Sequence, residues 1–289
     1  MIVLTGATGL IGRLLAAELA ESGDGHEVRA ITRSPRHAGL PAGVEVVEGD
    51  PQRPGTLADA LRGADALFLH SRAVGDAAHD VVALARDLGV RRVVALAAAN
   101  VDDRLDAQPS RFRGDRNKEA DDAAATSGLD WVSLRPSSFA LNALTAWGGQ
   151  IRAGDDVRYV YAGFEESPLD ERDLAAVLAK ALTDDDLLGR RIDLTGPESL
   201  SHEDMVRQIG VALGRPLRFH EVPAEPAARG MVANGLPEPF VTAMMARYAA
   251  HHTRPQFPPT PELEKILGRP PRTFADWAAD HVADFEAAG

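Results

Sequence analysis

The chain has 289 residues, 45% of them hydrophobic and 26% charged, enough to bury a core of ordinary size without external staples. It contains no cysteine, so disulfide frameworks and zinc–thiolate centres are excluded. A net charge of -12 repels a polyanionic backbone and argues against nucleic acid as a partner.

Met1-Ile2-Val3-Leu4 runs directly into a glycine motif, without a basic leader, an apolar stretch of secretory length or a small-residue cleavage site. No later window offers the roughly 18 uninterrupted apolar residues of a membrane span. The expectation is a cytoplasmic protein with no membrane partner. Short apolar runs at residues 2–4, 28–32, 44–47, 66–69, 93–96 and 131–134 alternate with amphipathic stretches. Continuous Val/Ile/Leu runs describe strands covered on both faces, and crossover-length helices between them predict parallel βαβ units. The expected fold class is α/β, a doubly wound parallel sheet of Rossmann type.

After Phe139 the pattern predicts a helix over 140–152, a loop-rich passage over 153–168, a capped helix from near Asp173 and a strand over 191–194 that returns to the sheet. From Ser201 a second unit begins, with a helix over 201–213 capped by Ser201 and a strand over 217–222. A proline-rich stretch follows, expected as irregular packing interrupted by a helix over 240–252. The predicted division is a dinucleotide-binding domain over 1–150, joined by 185–200, and a smaller α/β substrate domain over 151–184 and 201–289.

Between the first strand and the first helix lies Thr5-Gly6-Ala7-Thr8-Gly9-Leu10-Ile11-Gly12. Glycines there permit a tight turn and close approach to a pyrophosphate, whose charge meets the free amides at the positive end of the helix. Gly12 is expected to let that helix pack close to the sheet. The strand-loop-helix context at the start of a βαβ unit makes this a dinucleotide loop. About twenty residues on, an NAD site would place an acid at the end of the second strand. This chain has Arg33 there, with Ser34 and Arg36 beside it, which suits a ribose 2′-phosphate and selects NADPH/NADP+. Asp50, at the end of the third strand, is placed either to meet the adenine edge or to cap the next helix. His70-Ser71 and the segment 97–100, at the ends of the fourth and fifth strands, are expected to line the ribose and nicotinamide crevice.

These residues, together with Glu48-Gly49-Asp50-Pro51, Ser127-Gly128-Leu129-Asp130-Trp131, Leu134-Arg135-Pro136, Leu194-Thr195-Gly196-Pro197-Glu198 and Leu267-Gly268-Arg269-Pro270-Pro271, resemble the NmrA-like atypical short-chain dehydrogenase/reductases over nearly the whole chain. The resemblance implies an NADP-binding Rossmann domain, a small substrate domain, and membership in a family divided between reductases and redox-sensing regulators. It implies that Gly6, Ala7, Thr8, Gly9, Leu10 and Ile11 hold the pyrophosphate and Arg33 the 2′-phosphate. Asp50 would meet the adenine, His70, Ser71 and Ala97 the ribose, and Pro136 with the residues to Phe139 the nicotinamide side.

Ordinary members of the superfamily donate a proton through Tyr-x-x-x-Lys. Here the tyrosines are Tyr159, Tyr161 and Tyr248, and none has Lys four residues on. Lys118 is one of three lysines and stands about where the similar isoflavone-reductase-like enzymes carry a functional Lys; its ordinary alternative is a solvated helix charge. Ser137, Ser138, Asn100 and Asn117 are further candidates to bond a carbonyl oxygen, although polar residues at helix starts are commonly caps. The expected catalytic residues are Lys118 and Ser137. Where the relatives often carry His and Glu four apart, this chain has Asn117 and Asp121.

Hydride transfer can proceed on positioning alone, with water or a substrate phenol as acid. The resulting expectation is an NADPH-dependent ketoreductase of a hydrophobic aromatic ketone, similar to the angucyclinone ketoreductases of antibiotic biosynthesis, acting as a monomer or homodimer. A sensor that binds NADP(H) without turnover is the alternative. Trp147, Phe164, Met231, Phe240, Met244, Met245, Tyr248 and Phe257 are expected mainly as core, with some left to wall a flat pocket. The histidines show no ligand spacing, so no metal is expected.

Overall fold

The computed structural model describes residues 1–23 and 25–286. The first six apolar runs form β1 (Ile2–Leu4), β2 (Val28–Thr32), β3 (Val44–Glu48), β4 (Ala66–His70), β5 (Arg92–Leu96) and β6 (Asp130–Pro136). With Arg190–Leu194 they make a seven-stranded sheet in the order Arg190–Leu194, β6, β5, β4, β1, β2, β3. The pairings among β1 to β6 are parallel. Helices cover both faces, which is why β1 and most of β4 and β5 are buried residue after residue and read as unbroken apolar runs. Val3, Leu61, Leu67, Leu69, Val81 and Val93 belong to one buried cluster. The order of connection reverses at β1 and β4, and a doubly wound sheet binds ligands outside the carboxyl ends of its strands at such a point.

The chain divides into two compact units, Met1–Asp102, Gly114–Arg135 and Leu174–Asp193 in the first, and Asp103–Arg113, Pro136–Asp173 and Leu194–Gly289 in the second. The boundary therefore falls at Arg135, not at 150, and the second unit is as large as the first, not smaller. The helix Glu171–Thr183 gives most of its length to the first unit, because its buried Leu174, Val177, Leu178 and Ala181 need a covering surface. Arg92 of β5 fixes its end by donating to the carbonyls of Ala181 (3.4 Å) and Asp184 (2.9 Å).

In the second unit the passage expected as loop contains the strand Asp156–Tyr159, which pairs in parallel with Arg218–Glu221. Burial alternates along it: Val157 and Tyr159 are buried and Arg158 is exposed. The proline-rich stretch is also not irregular. It forms the helices Ala224–Ala233, Glu238–His251 and Glu262–Leu267, with Pro223, Pro237 and Pro261 at their N-caps and Pro239 in a first turn. Proline fits there because its fixed φ suits a helix start and the amide it lacks has no helical partner. The helix His202–Leu213 is capped as expected, with Ser201 Oγ accepting from the Asp204 amide at 3.0 Å. Trp147, Ile151, Phe164, Met205, Tyr248 and Trp277 form part of this unit's core. No helix among the described residues is long and apolar enough to cross a membrane.

Candidate functional site

The glycine loop leaves β1 at Thr5, which is fully buried and ties it to β4. The Thr5 hydroxyl donates to the Phe68 carbonyl and accepts from the His70 amide, both at 2.9 Å. Gly6 has a φ of +66°, and a Cβ there would come within 2.9 Å of the His70 side chain. At Gly12 a Cβ would lie 2.3 Å from the Gly6 carbonyl oxygen and 2.6 Å from the Ala7 Cα. Gly12 is thus needed by the loop's own backbone, rather than by helix-to-sheet packing. Gly9 differs from both: it is exposed, and a Cβ would meet only the Gly6 carbonyl, at 3.4 Å.

Gly9 is the N-cap of α1 (Leu10–Glu21), with no side-chain cap and no acidic residue in the first turn. The first-turn amides of a helix have no internal partner, so this end offers donors and a positive dipole to an anion. Leu10 is 44% exposed and Ile11 buried, so the two apolar residues of the motif face different ways. Arg13 holds the loop from behind, donating to the carbonyls of Thr8 (2.9 Å) and Gly39 (2.5 Å). Backbone that admits no Cβ, an uncapped helix start and an exposed glycine are the features a pyrophosphate requires, and the residues fit one.

Arg33 and Ser34 follow β2 and are exposed, and among the described residues Arg33 has no ion-pair or hydrogen-bond partner. Arg36, also exposed, lies in the short turn Pro35–His37 that follows. Thr32 pairs with Glu48 and its carbonyl takes the Gly49 amide at 3.0 Å, which brings the end of β3 beside Arg33. Asp50 there does the local work of a turn: Oδ1 accepts from the Gln52 amide at 3.1 Å, and its carbonyl takes the Arg53 amide at 2.8 Å.

His70 ends β4, and burial pushes its pKa down, although Asp115 pulls the other way. Its Nδ1 is buried with no hydrogen-bond partner among the described residues. A neutral ring with an idle nitrogen, packed on Gly6, suits a ligand atom arriving at the loop. Ser71 is committed elsewhere, since its hydroxyl donates to Asn117 Oδ1 at 2.6 Å. That bond, with Arg72–Asp115 (2.6 Å) and Arg116–Asp76 (2.6 Å), anchors the start of the helix Asn117–Ala125. Lys118 on this helix is 39% exposed and pairs with Asp122 one turn on, at 3.1 Å. Ala97, buried beyond β5, bonds through its amide to the Leu134 carbonyl at 2.9 Å, and its small side chain leaves space at the strand ends.

The role of one residue escaped the sequence reading, which named it only beside Asn117. Asp121 is fully buried and accepts from Ser133 (2.5 Å), from Arg135 through two nitrogens (2.9 Å each) and from Arg191 (2.9 Å). Burial alone would raise its pKa, but the hydrogen bonds from Arg135, Ser133 and Arg191 hold it lowered. It locks the helix of Lys118 to β6 and the last strand. Only its spacing from Asn117 on one helical face signalled it.

In the second unit Pro136 is buried, and Ser137 donates its amide to Leu194 (2.9 Å) and its hydroxyl to the Ser167 carbonyl (3.3 Å). Ser138 donates to Glu166 at 3.0 Å and accepts from Asn142 at 3.3 Å; Arg247 pairs with the other Glu166 oxygen at 2.9 Å. Of the three tyrosines, Tyr159 and Tyr248 are buried with their hydroxyls 3.4 Å apart, and burial raises both phenols further from a proton-donating range. Trp147, Phe164 and Tyr248 surround His202, with ring centroids 5.6, 5.2 and 5.1 Å from it, so these three are core, as expected.

A family model described as NAD(P)H-binding matches residues 6–185. A (4-alkanoyl-5-oxo-2,5-dihydrofuran-3-yl)methyl phosphate reductase of Streptomyces griseus is 35% identical over 287 residues, 99% of both chains. An NAD(P)H azoreductase of Xenophilus azovorans is 31% identical, with all of both chains covered. The NADPH-dependent quinone oxidoreductase of Escherichia coli, solved with NADPH, superposes with a TM-score of 0.82 at 21% identity, over 97% of this chain and 99% of its own.

Proposed function

The chain belongs to the NAD(P)H-binding family and is an oxidoreductase, and from that premise we propose that it is an NADPH-dependent reductase of small conjugated acceptors: quinones, azo compounds or acyl-substituted unsaturated lactones. The observation that carries the cofactor choice is Arg33, exposed and unpartnered among the described residues where an NAD site would hold an acid. The 2′-phosphate would give that guanidinium its counter-charge, Gly9 and the first turn of α1 would take the pyrophosphate, and His70 Nδ1 would meet the ribose.

NADPH, when bound, supplies a hydride. Among the described residues none is a placed acid: Tyr159 and Tyr248 are turned on each other in the core, and the sequence has no Tyr-x-x-x-Lys pair. A simple ketone suffers from this, because the charge it receives stays on one oxygen. A quinone, an azo group or an acylated unsaturated lactone spreads the electron pair over its conjugated system, so a water proton suffices and positioning becomes the main catalytic contribution. A hydroxyaryl ketone of polyketide type belongs with them if its own phenol serves as acid. Lys118 and Ser137 are then positioning groups before they are acids.

The test is oxidation of NADPH by the purified chain with a quinone, an azo dye, an alkanoyl butenolide and a hydroxyaryl ketone. Turnover with at least one is expected. Arg33→Ala is expected to weaken NADPH binding about 10- to 100-fold, the loss of one charge-assisted contact, and to leave NADH nearly unchanged. A wild type that prefers NADH overturns the reading. The missing acid also favours a sensor, whose mark is preference for one redox form of NADP without turnover of any acceptor.

A further inference from the structure

Among the described residues, Tyr161 is the only non-glycine with a positive φ, +50°. A side chain with a β-carbon is strained in that conformation, and such strain persists only where the surroundings over-determine it. They do so here. The Phe164 amide bonds to the Tyr161 carbonyl at 3.0 Å, the Glu203 amide to the Ala162 carbonyl at 3.2 Å, and the His202 ring to the Val160 carbonyl at 3.0 Å. Glu221 completes the clamp, with Oε2 accepting from the Ala162 amide at 3.2 Å.

The turn holds Tyr161 at the edge of an open surface pocket of about 270 Å³, lined otherwise by the exposed Glu221 and Pro223 and by the half-buried Val222 and Ala224. Tyr248 and His252 flank its ring, with centroids 6.2 and 6.0 Å away. The pocket thus brings together an aromatic ring, apolar side chains and one exposed carboxylate, whose second oxygen has no hydrogen-bond partner among the described residues. The volume is at the low end for small-molecule sites, so it takes one or two rings, not an extended acceptor.

We propose that this cavity binds an aromatic ring bearing an amino or hydroxyl group: the ring packs on Tyr161 and the group donates to Glu221. An anionic ring is repelled by the Glu221 carboxylate.

Two variants test it in the full chain. Tyr161→Gly removes the ring while accepting the positive φ; relief of strain offsets part of the lost packing, so a lower melting temperature with cooperative unfolding retained is expected. Glu221→Gln removes the charge and keeps the shape. In calorimetric titrations without cofactor, 4-aminophenol should bind the wild type more tightly than anisole, and benzoate least. Glu221→Gln should lose about tenfold for 4-aminophenol and under twofold for anisole, as for one charge-assisted hydrogen bond. Tyr161→Gly should weaken both. Binding of both probes unchanged in both variants overturns the cavity as a site.

Discussion

The two units place their polar groups by different means. In the first, the candidate ligand contacts are backbone amides, glycines and the side chains of Arg33 and His70, set at strand ends by pairings between neighbouring β-strands. In the second, they are side chains from distant parts of the chain, such as Ser138 with Glu166 and Arg247, or Tyr161 with Glu221. Backbone geometry tolerates little change in residue type but is indifferent to most neighbours. A side-chain cluster can exchange members one at a time. A chain built this way keeps its cofactor while its acceptor drifts, which is consistent with reductases of unlike substrates matching it end to end.

That contrast can be broken or sharpened by measurement. The largest effect is expected from Asp121→Ala, which leaves the buried Arg135 only its exposed partner Asp102 and should cost about 3 kcal/mol or more in denaturant unfolding, the usual result of removing one partner from a buried pair. Gly12→Ala should follow, with about 1–3 kcal/mol of overpacking and loss of measurable NADPH binding, since its Cβ meets the Gly6 carbonyl. Retained binding would show the loop to be softer than the contrast requires. Next comes acidification. Burial lowers the pKa of His70 in the first unit and of His202 in the second, so unfolding takes up protons as pH falls. Stability is therefore full above about pH 6.5 and erodes below it, each histidine adding a slope approaching about 1.4 kcal/mol per pH unit. Melting curves of His70→Gln and His202→Gln against pH should each remove one share of that slope. Smallest is Lys118→Met, expected to shift stability by less than about 0.5 kcal/mol because its pair with Asp122 is surface-exposed. A kcat loss above a hundredfold would instead make Lys118 the proton donor.

The same contrast explains what could be read from the sequence. The strands of the sheet, the glycine loop and Arg33 follow from local rules, namely unbroken apolar runs, residues that need no Cβ, and a cation at a fixed distance along the chain. Asp121 was hidden because its partners Ser133, Arg135 and Arg191 are brought to it only by strand pairing. The strand Asp156–Tyr159 is too short for its alternation to stand out, and its partner Arg218–Glu221 lies far along the chain. The prolines misled because the same residue that ends one helix begins the next. Nothing local marks Tyr161 as strained, since its φ is imposed by hydrogen bonds from elsewhere in the second unit.

The contact between Gly12 and the Gly6 carbonyl has a practical corollary for anyone wishing to switch coenzymes. Turn and helix are fused into one part, so libraries that vary Gly6 or Gly12 would mostly yield dead clones. Diversity belongs at positions 33, 34 and 36, where the chain is open to solvent and a swapped side chain disturbs nothing beneath it.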